Sequence, residues 1–109
     1  MYATPKKLKD TIVNQRSLQL HKAIADKVLA SPHLLEKAKD NLEARYNNGL
    51  MRYGSYMLWQ GILETAGSPE TFKQLLLAQD ERTASLRKST IFVGILTEQE
   101  REDALSAMP

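Results

Sequence analysis

Residues 20–46 read LHKAIADKVLASPHLLEKAKDNLEARY, and two apolar stripes run through them on either side of Ser31-Pro32. Leu20, Ile24 and Val28 recur every fourth residue before the break, and Leu34, Leu35, Ala38, Leu42 and Tyr46 follow it at mostly helical intervals. An α-helix turns once every 3.6 residues, so each set falls on one face. At the break itself, a serine hydroxyl can accept from the free amides of a first helical turn, and proline has no amide to leave unpaired there. The stretch therefore predicts two helices meeting at a sharp boundary.

The same hydroxyl-proline device recurs at Thr4-Pro5 and Ser68-Pro69, and a fourth start stands at Thr97-Glu98-Gln99-Glu100. In that last group the Thr97 hydroxyl and the Glu100 carboxylate can each accept from the other's backbone amide, the capping-box arrangement, opening a short acidic helix. A third stripe, Met51, Leu58, Ile62 and Leu63, follows the break at Asn47-Asn48-Gly49. Gly67 is expected to close that segment in the left-handed conformation. Phe72, Leu75 and Leu76 mark the next helix, and Asp80 to Lys88 is helix-compatible but mostly polar. The pattern predicts an all-α fold, a compact bundle of about five helices forming a single helical domain over residues 1–109.

One stretch breaks this pattern. Thr90-Ile91-Phe92-Val93-Gly94-Ile95-Leu96 combines β-branched and apolar residues with a glycine, between a polar helix and a capping box. Crowded β-branched side chains and a glycine both disfavour helix, so a short extended or irregular segment is expected near the C-terminus. A chain departs from its local preferences where something else fixes its shape. Two agents can do that here: a partner protein whose groove or sheet edge receives the segment, or the chain's own core, covered by Phe92 and Ile95.

Composition narrows the function. The 109 residues allow one ordinary core but not a second catalytic domain, and 42% hydrophobic with 26% charged residues is the balance of a folded globular chain. The absence of cysteine excludes disulfides, thiolate metal sites and cysteine nucleophiles, and fits a reducing cytoplasm. No apolar run approaches a membrane span, and the basic start lacks the apolar stretch of an export signal, so a cytoplasmic protein without membrane contact is expected. Net charge is only +2 but lopsided: residues 1–30 carry six Lys or Arg against two Asp, whereas residues 67–109 carry five against seven acids. The basic end suits an acidic partner or is simply a solvated face.

The inventory for catalysis is thin. His21 and His33 lie twelve residues apart with no carboxylate at a metal-ligand spacing, and the five glycines are too scattered for a phosphate loop, so neither metal nor cofactor is expected. The sharpest enzymatic candidate is the Arg16-to-His21 spacing, which resembles that of the small helical ribonucleases of the HEPN superfamily. Such a site would use histidine as general acid or base and arginine to stabilise charge on phosphate. Arg45-Tyr46 and Arg52-Tyr53, with Tyr56 and Trp59 beyond, have a composition that can stack bases, although aromatic residues at this spacing are more often core. A DNA-binding repressor would use Lys6, Lys7 and Lys9 as phosphate contacts on operator DNA.

The order of several short elements carries a resemblance. They are His21-Lys22-Ala23-Ile24-Ala25-Asp26-Lys27-Val28-Leu29, Ser31-Pro32-His33-Leu34-Leu35-Glu36-Lys37-Ala38, Asn41-Leu42-Glu43, and Trp59 with Ile62-Leu63. Leu86-Arg87-Lys88-Ser89 follows, then Phe92-Val93-Gly94-Ile95-Leu96 and Glu100-Arg101. So arranged, the chain resembles small bacterial proteins of toxin-antitoxin gene pairs over about residues 18–101. It departs from that group at Ile91, where proline is usual. The resemblance implies a non-enzymatic antitoxin that neutralises a cognate toxin protein by direct contact, with homo-oligomers possible in principle. The helix that inhibits Fic enzymes, shaped S/T-x-x-x-E-G/N, has no match here, which disfavours a Fic partner. The expected contact surface is Phe92, Val93, Gly94, Ile95 and Leu96, with Phe92, Ile95 and Leu96 as apolar anchors and Arg87 or Lys88 pairing at the rim.

Overall fold

In the computed structural model the Ser31-Pro32 boundary lies between α1 (Pro5–Ala30) and α2 (Pro32–Asn47). The chain continues through α3 (Tyr53–Glu64), a single 3-10 turn at Thr65–Gly67, α4 (Pro69–Leu76), α5 (Glu81–Lys88) and α6 (Glu98–Ser106). The structure describes residues 5–107, and within α1 it describes the side chains from residue 11 onward. Thr4 lies outside the described residues, as do the side chains of Lys6, Lys7 and Lys9. All the regular elements among the described residues are helical, with six α-helices where about five were expected, because Glu81–Lys88 forms a helix of its own between α4 and the C-terminal one.

Local signals act much as their chemistry dictates, with three corrections. Proline begins α2 and α4, but neither Ser31 nor Ser68 caps a backbone amide; the Ser68 hydroxyl donates instead to Thr71 Oγ1 at 3.0 Å. Proline at the first turn is thus the operative stop-start signal at both boundaries. Gly67 sits within the 3-10 turn, and positive φ is found only at Gly49 and Gly94 among the described residues. Gly49, with φ of 72°, ends α2: its amide donates to Tyr46 O at 3.1 Å and the Leu50 amide to Arg45 O at 2.9 Å. These two bonds are a Schellman closure, which satisfies carbonyls that a helix end otherwise leaves open. The Thr97-Glu100 capping box is present in both halves, and Asp80 caps α5 by accepting from the Thr83 amide at 3.1 Å.

The third correction concerns residues 90–96. They form neither a strand nor one extended run, but a loop folded about a turn at Val93–Gly94, where Gly94 has φ of 73°. Only a residue without a Cβ enters that region freely. The loop lies over the open end of the bundle. Its Ile91, Phe92 and Ile95 join Ile24, Ala25 and Val28 of α1, Leu42 of α2, Trp59 and Ile62 of α3, and Phe72 and Leu76 of α4 in one buried cluster. Phe92 occupies the middle, edge-on to Trp59 at 5.8 Å and to His21 at 6.3 Å. α1 is the spine of the arrangement and packs against α2, α4, α5 and α6. No helix among the described residues is long and apolar enough to cross a membrane.

Candidate binding groove

Four polar ties hold the loop in place, each built from a helix side chain reaching a loop carbonyl or hydroxyl. Lys27 on α1 donates to Ile95 O at 2.8 Å and to the Glu100 carboxylate at 2.6 Å, joining loop and α6 to the spine. On α2, Asn41 donates to Ile91 O at 3.1 Å and Arg45 to Ser89 O at 2.9 Å. The fourth tie is His21. Its Nδ1 lies 2.7 Å from Ser17 O, an acceptor only, so Nδ1 carries the proton and donates. Nε2 then accepts from the Thr90 hydroxyl at 2.9 Å, and the same hydroxyl oxygen accepts from the Phe92 amide at 3.1 Å. Burial pushes the His21 pKa down to about 4; the bond to Ser17 opposes the shift, and the Arg87 charge adds to it. The ring is neutral at pH 7.

Between α1 and this loop runs a groove of about 600 Å³. Its α1 wall carries Val13, Arg16, Ser17, Leu20, His21 and Ile24, residues spaced by three and four and hence on one helical face. The facing wall carries Lys88, Val93, Gly94, Leu96 and Arg101. Val13 and Val93 are exposed at 42% and 53%, unusual for β-branched aliphatics, and Leu96 is half-buried beside them. Among the described residues, no carboxylate lines the groove. It is an apolar cleft edged by cations.

The residues singled out from sequence are thereby sorted. Val93, Gly94, Leu96 and Lys88 do face one open groove. Phe92 and Ile95, each 3% exposed, do not offer themselves to a partner: they close the chain's own core. Arg87 is not a rim cation either. It is 3% exposed, and its Nη1 donates to Leu76 O at 2.8 Å and Ala78 O at 2.7 Å, holding the connection that leaves α4. Desolvation lowers the Arg87 pKa, with the Asp80 carboxylate working against the shift. A guanidinium remains charged under such conditions because its pKa starts so high.

Arg16 and His21 border the same groove, but the imidazole is 2% exposed and both its nitrogens are engaged within the chain, so in this conformation it has no free position for a proton in transfer. Among the described residues, no three of His, Asp or Glu lie together as metal ligands would. Of the tyrosines whose composition could serve to stack bases, Tyr46 and Tyr56 stack on one another, 4.1 Å apart with planes at 12°, and the Tyr56 hydroxyl donates to Glu43 at 2.7 Å, while Tyr53 is tilted against Tyr46 and exposed. Sequence reasoning missed Val13, Arg16 as a groove residue, and Arg101. The spacing of Val13 and Arg16 on one face with Leu20 and Ile24 was visible, but cations on a helix face ordinarily signal solvent, and Arg101 reaches the groove from α6. Comparison with protein-family models, with curated proteins and with solved structures finds no match to this chain.

Proposed function

We propose that this chain is a non-enzymatic binding protein of the antitoxin kind, which neutralises a cognate bacterial toxin by direct contact and occlusion. The observation that carries the reading is the groove between α1 and the 89–97 loop, where exposed Val13 and Val93 and half-buried Leu96 stand among Arg16, Lys88 and Arg101 with no acid in the lining among the described residues. Exposed aliphatic side chains ringed by unopposed charge are the composition of a partner surface, since apolar area left in water is unfavourable and each contact excludes solvent from the next. The loop supplies this surface while its larger side chains face inward. Phe92 and Ile95 therefore support the contact face from behind, and Val93 and Leu96 make it.

The resemblance to antitoxins of gene pairs gives the partner its class. The experiment is co-expression with the product of the neighbouring gene, scored by growth rescue and co-purification. The wild-type chain restores growth and co-purifies. Val93→Asp, which places a desolvated charge in the contact and leaves the core untouched, loses both by at least about tenfold in affinity. Equal rescue by wild type and Val93→Asp, or a toxic neighbour that forms no complex, overturns the proposal.

A further inference from the structure

Val93 and Gly94 stand on the wall of the groove between α1 and the loop. These two residues also line a second hollow of about 430 Å³ over α2, and that hollow shares Arg45 and Leu50 with a third, of about 640 Å³, between α3 and α5. Each hollow thus shares two lining residues with the next, and together they form a row of three. Arg16, Lys88 and Arg101 stand in the first, Lys37 in the second, and Arg52 and Arg82 in the third, with Arg45 on the wall shared by the last two. Among the residues whose side chains are described, eight Lys and Arg border the path, buried Arg87 included, against one acid, Glu81. A net charge of +2 gives no hint of such a division.

The ion pairs lie elsewhere. Lys27 with Glu100, Lys39 with Glu36 and Lys73 with Asp26 pair away from the path, and none of the seven open cations pairs with a carboxylate among the described residues. Unpaired like charges brought into one row repel, so the row stores an attraction for a polyanion. Which polyanion is decided by the apolar lining. Leu50 at 75%, Leu58 at 37% and Val93 at 53% exposure are aliphatic, and the aromatics that border the path, Phe92 and Trp59, are buried. Single-stranded nucleic acid is gripped by exposed aromatic faces on which bases stack; the lining of the three hollows holds none, exposed Tyr53 lying outside it. Aliphatic side chains spaced between cations fit a polypeptide with acidic residues between leucine-like ones.

We infer that the basic path formed by this row of three hollows is the seat of an acidic, aliphatic-bearing segment of the partner polypeptide. The inference rests on the binding-protein reading and names the chemistry of its partner. Electrostatics steers the segment in and fixes its register, and Leu50, Leu58 and Val93 receive its side chains.

The test is a random-peptide display library panned on the immobilised full-length chain at low salt, with an oligo-dT strand as the competing polyanion. Two variants accompany it: Arg52→Glu/Arg82→Glu/Arg101→Glu, which reverses exposed positions at both ends of the path, and Leu50→Ser/Val93→Ser, which removes aliphatic contacts. Both sets of side chains are exposed, and circular dichroism verifies that the helices persist. The expected outcome is enrichment of peptides carrying Asp or Glu among Leu, Ile or Val, whose binding falls about tenfold or more with either variant and weakens steeply with salt. Peptides without acids, binding indifferent to the charge reversal, or an oligonucleotide bound as tightly as the selected peptides would each overturn the inference. So would a low-salt dimer that the charge reversal dissolves, since the occupant would then be a second copy. If the co-expressed toxin is still captured by the charge-reversed chain, the path is refuted while the binding function stands.

Discussion

Lowering the pH from about 7.5 to about 5 should unfold this bundle more readily through one residue, His21. The imidazole is neutral in the folded chain, 2% exposed and doubly hydrogen-bonded, with its pKa pushed down to about 4 from the ordinary 6.5. The unfolded chain takes up a proton near pH 6.5 and the folded chain only near 4, so the stability due to the neutral ring is complete above 6.5. It is lost progressively as pH falls from 6.5 towards 4. One proton across that window at 1.36 kcal/mol per unit amounts to about 2 kcal/mol between pH 7.5 and pH 5. Asp80 and Glu100 also have lowered pKa values, through hydrogen bonds from Thr83 and Lys27 respectively. Their contributions fade below the ordinary carboxylate range, at lower pH than the histidine's. The assay is urea unfolding followed by circular dichroism at both pH values, for the wild type and His21→Gln. A pH-independent midpoint in the wild type, or the same drop persisting in the glutamine variant, refutes the assignment of a buried neutral imidazole to this position.

Two further substitutions test the loop from opposite sides. Phe92→Ala removes the ring between Trp59 and His21 and should destabilise the fold by about 3–5 kcal/mol, read by urea unfolding; a loss below about 1 kcal/mol would mean that the ring is not in the core. Gly94→Ala forces a Cβ into positive φ, 3.4 Å from Lys37 Nζ, and should lower stability by about 1–2 kcal/mol with helix content unchanged, measured in the same way.

What the sequence made legible was local. Proline after Ser31 and Ser68, the Asn48-Gly49 stop and the Thr97-Glu100 box each act within one turn of chain, and each appears where the residues place it. The loop at 90–96 could be read as non-helical because Gly94 and its β-branched neighbours oppose helix on their own account. Its direction could not. Phe92 faces inward because α1 and α3 leave a ring-sized place between His21 and Trp59, residues 71 and 33 positions away in the chain. Arg87 carried the same ambiguity: a charge next to an apolar run reads as a surface residue until the carbonyls of Leu76 and Ala78 are seen to converge on it. The groove was the least legible feature. The cations of the three hollows come from α1, α2, the residue before α3, α5 and α6, and only packing brings them together.

The contact face can be located directly by backbone amide chemical-shift mapping of the ¹⁵N-labelled chain titrated with the toxin proposed as its partner. Shifts should concentrate on the α1 face from Val13 to Leu20, on Val93 and Leu96, and on Leu50 and Arg52, while Phe92 stays protected from hydrogen exchange. Shifts confined to the side where Lys73 meets Asp26, or a Phe92 amide that exchanges freely once the partner is bound, would contradict the account.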